Sequence, residues 1–195
     1  KVDAVHPGYG FLSENFEFCS ALEKSKIKFI GPSVEAIKSM GDKIVSKKIA
    51  KRAGVNIIPG TKGAIKDVKS SIEAANKIGF PVMIKASAGG GGKGMRVANN
   101  VEELKSGFQS AKNEARNSFG DDRVFIEKFI KGPRHIEIQI LADDFDNIVY
   151  LGERECSVQR RHQKIIEESP SSLVDAEMRK KMGEQAILLA KAVNY

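Results

Sequence analysis

The chain has 195 residues, 41% hydrophobic and 29% charged, an ordinary globular balance with length enough for one or two cores. No apolar run nears the ~20 residues that span a bilayer, so no membrane is expected as a partner. A net charge of +7 raises nucleic acid, but the lysines are mixed with acids and aromatics are only 7%, so no nucleic acid is expected and a small anionic ligand fits better.

Cys19 and Cys156 lie far apart and form no C-x-x-C, so reduced thiols in an intracellular setting are expected. The chain opens inside an apolar strand-like run, VDAV (2–5), and Tyr195 closes a helical pattern. It reads as an internal piece of a longer protein. HPGYGFLSEN (6–15) follows as a turn-rich segment at a strand's carboxyl end, where α/β sheets bind ligands. A helix over 15–25, a strand over 27–31 and the loop GPS continue a β-α-β rhythm. A short helix near 34–39 leads to GDK (41–43), where Asp42 caps the next helix. Val45, Ile49 and Ala53 are expected to form that helix's buried stripe.

NIIPGTKG (56–63) reads as a linker and domain boundary. A helix over 67–78, a hairpin over 81–97, a helix over 101–116 and a strand over 123–129 predict a small α+β unit. PRHIEIQIL (133–141) alternates: Ile136, Ile138 and Ile140 face one way, His135, Glu137 and Gln139 the other. DDFDN (143–147) is a turn and IVYLGE (148–153) its return strand. QRRHQK (159–164) reads as a basic loop. The last helix, from about 175, is expected to bury Met178, Met182, Ala186, Leu189 and Val193.

The chemistry concentrates in PVMIKASAGGGGKGMRV (81–97). Four consecutive glycines, Gly89 to Gly92, sacrifice roughly 0.5–1 kcal/mol each relative to alanine, a cost a plain connector has no need to bear. Bare amides are what a polyphosphate requires. The P-loop pattern fails, because Ser87 stands where its first glycine belongs and Gly94 follows the lysine. A dinucleotide fingerprint needs a helix at the loop, whereas MRVA (95–98) is β-like. A strand-glycine-strand hairpin over phosphates remains, with an ordinary glycine-rich hairpin as the alternative. Lys85 is a phosphate ligand or a snorkelling edge-strand lysine. Lys43, early in a capped helix, carries a weaker signal. The His135/Glu137 face is solvated or lines a site; a metal there needs His162 as a third ligand and is disfavoured. Glu127, Lys128, Phe129 and Ile130 end a strand in a way that can offer backbone groups to a purine. QRRHQK is a solvated loop or an anion cradle.

In order along the chain, HPGYGFLSEN, FIGPS, GDK, PVMIKASAGGGGKGMRV, IEKFI, PRHIEIQ and ERECSVQRRHQK resemble the biotin carboxylase component of the biotin-dependent carboxylases, an ATP-grasp family. GGGGKGMRV, GDDR (120–123), ERECS and MGEQA are most similar to its propionyl-CoA carboxylase branch, although His162 stands where that branch often has asparagine. The resemblance implies an α/β and α+β fragment of an ATP-grasp fold. Residues 1–55 would be the tail of a Rossmann-like pre-ATP-grasp domain, 56–130 a small α+β lid domain, and 131–195 the start of a central antiparallel-sheet domain. It further implies ATP-dependent carboxylation of biotin with bicarbonate through carboxyphosphate, with magnesium or manganese as metal and biotin presented by a carrier domain. A carboxyltransferase subunit would be a partner of the whole enzyme.

Carried over by residue, Lys43 and Lys85 would hold the phosphates and Gly91 and Gly92 would close over them. Glu127, Lys128, Phe129 and Ile130 would meet the adenine. His135 would lie at the ribose with Glu137 behind it, and Gln159 and His162 would border the nucleotide. Lys164 would touch bicarbonate, and Tyr9 would sit on the biotin side. The family's metal ligands and catalytic glutamate are expected beyond Tyr195, so the chain alone is expected to bind nucleotide weakly and to lack catalysis. The setting would be cytoplasmic in a bacterium and the mitochondrial matrix in a eukaryote. Another ATP-grasp ligase, or a non-catalytic nucleotide-binding module, are the alternatives.

Overall fold

The computed structural model describes residues 2–88, 93–160 and 163–195. Three small sheets follow one another along the chain. In the first, β1 (Ala4–Val5) pairs in parallel with β2 (Lys28–Phe29) across α1 (Phe16–Lys24). Asn15 caps α1, its Oδ1 accepting from Phe18 N at 2.8 Å. Cys19, Phe29 and Ile37 form this unit's core, with Phe18 edge-on to Phe29. The expected strand over 27–31 contracts to two paired residues because β1 offers only two.

After α2 (Val34–Gly41), Asp42 caps α3 (Lys43–Arg52) as expected, its Oδ1 accepting from Ile44 N at 2.8 Å and Val45 N at 3.0 Å. The expected stripe is wrong. Val45 is exposed, and Ile44 and Ala50 are the buried residues. At about 100° per residue, Val45 and Ile49 lie opposite the direction shared by Ile44, Ala50, Lys43 and Lys47. The helix turns its cationic row, not its alternative apolar row, toward the second sheet.

That sheet runs β4-β3-β5, all antiparallel, from β3 (Val82–Ala86), β4 (Met95–Ala98) and β5 (Val124–Lys128). Helices α4 (Val68–Ile78) and α5 (Val101–Phe119) cover one face, where Val82, Ile84, Val124 and Ile126 meet Leu104, Phe108 and Ala111 in the main core. Strand alternation puts Met83, Lys85, Phe125 and Glu127 on the other face. The expected linker is pinned along β5: Thr61 N donates to Ile126 O and Lys128 N to Pro59 O, both at 2.8 Å. Gly60 lies against β5, and a Cβ there would come within 2.7 Å of Ile126 O.

The third sheet runs β6-β7-β8, antiparallel, from β6 (Ile136–Ala142), β7 (Ile148–Arg160) and β8 (Gln163–Glu168). Asp143 organises the first turn, accepting from Phe145 N and Asn147 N. The described residues of the stretch expected as a basic loop are strand. Gln159 and Arg160 end β7, and Gln163 and Lys164 begin β8 opposite them, a hairpin hidden from sequence because β8 is exposed along its length and carries no alternation. Helix α6 (Ala176–Ala192) packs on β6 and β7, but Met178 is exposed and Gly183 and Ala190 are buried. A Cβ at Gly183 would lie 2.6 Å from the Tyr150 ring, so closeness to the strand, not apolar bulk, selects the buried face.

Candidate functional site

Two polar clusters stand on the second and third sheets. The first begins at Asp42, which does more than cap. Its Oδ1 accepts from Ser87 Oγ at 3.0 Å and its Oδ2 from the Arg123 guanidinium at 2.9 Å. Ser87 is fully buried, accepts from Lys43 N through its carbonyl at 3.2 Å, and donates its amide to Arg123 O at 2.8 Å. Burial pushes the Asp42 carboxyl up, but the Val45 amide, Arg123, Ser87 and the Ile44 amide outweigh it and hold the carboxyl below its usual range. This knot ties the start of α3 to the ends of β3 and β5. It thereby brings Lys43 near Lys85.

Lys43, Ser46 and Lys47 of α3, Lys85 of β3, and Phe125 and Glu127 of β5 line a cavity of about 280 Å³. Glu127 is buried and receives Lys85 on one oxygen and Lys47 on the other, the latter at 2.8 Å. Burial, then the charge of Lys85, push the Lys43 ammonium below its ordinary value. Three cations around one carboxylate leave an excess of two positive charges, which a polyphosphate suits. At about 4 Å and an effective dielectric near 20, each lysine–phosphate pair is worth roughly 4 kcal/mol. The hairpin base closes beside Lys85, where Ala86 N donates to Gly94 O at 3.0 Å. Gly91 and Gly92 lie outside the described residues.

Glu127 and Lys128 leave β5 on opposite sides. Lys128 donates to Gly79 O at 2.9 Å and Phe80 O at 3.0 Å, bracing the start of β3. Phe129 N donates to Pro81 O at 3.1 Å, and Ile130 is exposed.

On the third sheet, the His135/Glu137 face is a built cluster. Glu137 receives His135 Nε2 at 3.0 Å, Arg154 at 3.1 Å, and Lys164. Burial opposes its ionisation, but the Lys164 hydrogen bond and the charges of Lys164, Arg154 and His135 hold its carboxyl low. Gln159 Nε2 bonds Cys156 O at 2.9 Å, which fixes the amide, and it meets His135 Nδ1 at 2.8 Å. The ring thus turns Nε2 toward Glu137 and Nδ1 toward Gln159. Arg154 also binds Glu167 at 2.6 Å. Gln139 lies at the edge, 3.4 Å from Arg154. His162 lies outside the described residues. Tyr9 is fully exposed in the opening turn and bonds neither cluster. Among the described residues no group of three or more His, Cys, Asp or Glu side chains could hold a metal ion.

Sequence reading missed Lys47, Ser87, Arg123 and Arg154. Lys47 was visible as the i+4 partner of Lys43. Arg154 stands opposite Glu137 in the β6–β7 register, which no local pattern reveals.

Residues 42–195 match the model of the carbamoyl-phosphate synthase L chain ATP-binding domain, and residues 1–37 that of the biotin carboxylase N-terminal domain. The chain belongs to that ATP-binding family, in its biotin carboxylase branch. Among relatives of this family, it is 62% identical over 192 residues to the propionyl-CoA carboxylase alpha chain of Ruegeria pomeroyi. Over the whole chain it is 59% identical to the mitochondrial alpha chain of Homo sapiens. It covers only 28% and 27% of those two proteins. Biotin carboxylase 1 of Bacillus subtilis is 52% identical and 43% covered. Among solved structures, the biotin carboxylase-beta-gamma-ATP complex from Campylobacter jejuni superposes with a TM-score of 0.93 at 51% identity, over 99% of this chain and 43% of that one. The biotin carboxylase domain dimer of Hydrogenobacter thermophilus 2-oxoglutarate carboxylase, in complex with MgADP, ADP and bicarbonate, gives 0.92 at 48%, over 99% and 43%. The fold is that of the ATP-grasp domains of biotin carboxylases.

Proposed function

We infer that the chain is the nucleotide-gripping part of a biotin carboxylase, within a protein that carboxylates biotin with bicarbonate at the expense of ATP. The observation that carries this is the cavity where Lys43 and Lys85, held together by the Asp42 knot, face each other with excess positive charge. In the proposed reaction a bicarbonate oxygen attacks the γ-phosphorus and ADP leaves. The resulting carboxyphosphate yields its carboxyl to biotin and releases phosphate. Lys43 and Lys85 neutralise the phosphates, and the hairpin carrying Gly91 and Gly92 covers them. Glu127 to Ile130 meet the adenine, chiefly through backbone. His135 and Gln159 border the ribose, with His162 beside them. Glu137 holds Lys164, which addresses bicarbonate, and Tyr9 lies on the biotin side.

Residues 1–55, 56–130 and 131–195 serve as the end of the pre-ATP-grasp domain, the lid and the start of the central domain. Magnesium accompanies the nucleotide, and a biotinylated carrier and a carboxyltransferase subunit are partners of the whole protein. Its setting is cytoplasmic in a bacterium and mitochondrial in a eukaryote, as support from both kinds of relative suggests.

Calorimetric titration with MgATP tests the reading. Wild-type chain is expected to bind, and Lys85→Ala to lose most of the affinity. Absence of binding by wild type, or equal binding by Lys85→Ala, overturns it.

A further inference from the structure

Lys47 lies one helical turn beyond Lys43, and the nucleotide reading above counts its charge but gives it no group of the ligand to hold. Three contacts fix its ammonium: Glu127 at 2.8 Å, Ile58 O at 3.1 Å, and the face of Phe125, whose ring centroid is 5.4 Å away. Its side chain is 21% exposed, that of Lys85 24%, and that of Glu127 only 6%. Glu127 is thus a buried carboxylate shared by two lysines of different origin. Lys85 comes from the centre of the β4-β3-β5 sheet, while Lys47 approaches from α3.

Sharing matters once Lys85 is asked to serve a ligand. A lysine that turns toward phosphate must loosen its hold on the carboxylate behind it. If that carboxylate had no second partner, it would be left buried and uncompensated, the arrangement that proteins tolerate least. We propose that Lys47 is a positioning residue for the nucleotide site: by staying on Glu127 it keeps the carboxylate neutralised and frees Lys85 for phosphate. This rests on the nucleotide reading of the cavity. Lys47 acts through Glu127 and need not touch the ligand. In its absence Glu127 and the incoming phosphate compete for one ammonium.

The thermodynamic signature is a coupling that direct contact does not produce. Lys47→Met should weaken binding only while Glu127 is charged. Glu127→Gln removes the competitor, so the double variant should recover. If Lys47 instead met phosphate itself, Glu127→Gln would not restore what Lys47→Met lost.

The test is calorimetry on the full chain with MgATP and with tripolyphosphate, the second probe excluding any adenine contribution from Glu127. Lys47→Met is expected to bind both probes about 10- to 100-fold more weakly. Lys47→Met/Glu127→Gln is expected to match Glu127→Gln alone within about twofold, the usual error of additivity. Lys48→Met, on an exposed lysine one residue away, serves as control and should bind like wild type. Failure of wild type to bind ATP overturns the nucleotide reading and this proposal with it. Wild-type binding with an unaffected Lys47→Met, or with a double variant weaker than Glu127→Gln, overturns the role of Lys47 alone. Circular dichroism checks folding. Should Lys47→Met not fold, the comparison of the double variant with Glu127→Gln still decides: equal affinity supports the proposal and a gap overturns it.

Discussion

Replacing Arg179 by alanine removes the charge that clamps α6 to β7. The Glu153 side chain is 1% exposed, and Arg179 grips both its oxygens, Nε on Oε2 at 2.6 Å and a terminal nitrogen on Oε1 at 2.7 Å. Ser171 N adds a bond at 3.1 Å. The Arg179 hydrogen bonds, against the opposing effect of burial, hold the Glu153 carboxyl at about 2, below its ordinary 4.5. Truncating Arg179 leaves this carboxylate with little beyond the Ser171 amide. Breaking a buried pair from one side costs ~3–5 kcal/mol. Arg179 is itself 32% exposed, so water reaches the vacated space and the lower end, about 3 kcal/mol, is expected.

The sign of the pH dependence follows from the two states of the carboxyl. In wild type its folded pKa is depressed, so its stabilisation is fully present above 4.5 and is lost as pH falls toward about 2. In Arg179→Ala burial without a partner raises the folded pKa, so the group destabilises at neutral pH and ceases to do so once protonated. The gap between the two proteins is therefore widest near neutrality and narrows in acid. Urea unfolding followed by circular dichroism, at about pH 7 and about pH 4, measures it. A loss below about 1 kcal/mol at neutral pH, or a gap of the same size in acid, refutes the reasoning.

Gly60→Ala is expected to cost about 1–3 kcal/mol and to weaken nucleotide binding, because its Cβ would meet Ile126 O at 2.7 Å and Glu127 Cβ at 2.9 Å, groups fixed in β5. Thermal melting and titration of the variant check this, and wild-type behaviour in both would refute it. Lys43 predicts proton uptake. Its ammonium is held below the ordinary 10.5 by burial and by Lys85, and phosphate charge restores it, so nucleotide affinity should fall as pH rises through that lowered value. Calorimetry in alkaline buffers of differing ionisation enthalpy should show uptake in wild type and none in Lys43→Met; equal uptake in both would exclude Lys43 as the source.

Features written in neighbouring residues were legible in the sequence. The cap at Asp42, the alternation through His135 and Glu137, and the pairing of the strands on either side of the glycines all depend on spacings of a few residues. What failed depended on distant partners. The α3 sequence contains an apolar row, but Glu127, 80 residues away, draws Lys47 inward and the helix turns with it. Likewise Gly183 reads as a weak point in a helix until the Tyr150 ring is placed against it. For the site, residue types pointed to Lys85 and Lys43. The carboxylates and guanidinium groups that orient them come from other strands and leave no mark beside them in the chain.

Asp42 has a bearing on how damage to this protein would be read. Its carboxylate serves the helix amides, Ser87 and Arg123 at once, and all of its acceptor capacity is turned away from the cavity toward the scaffold. A lesion there would loosen the start of α3 from the ends of β3 and β5, and with it the placing of Lys43 beside Lys85. In a survey scored by ligand affinity alone, Asp42 would sort with the lysines proposed to hold phosphate; only a melting curve taken beside the titration would reveal it as a hinge pin.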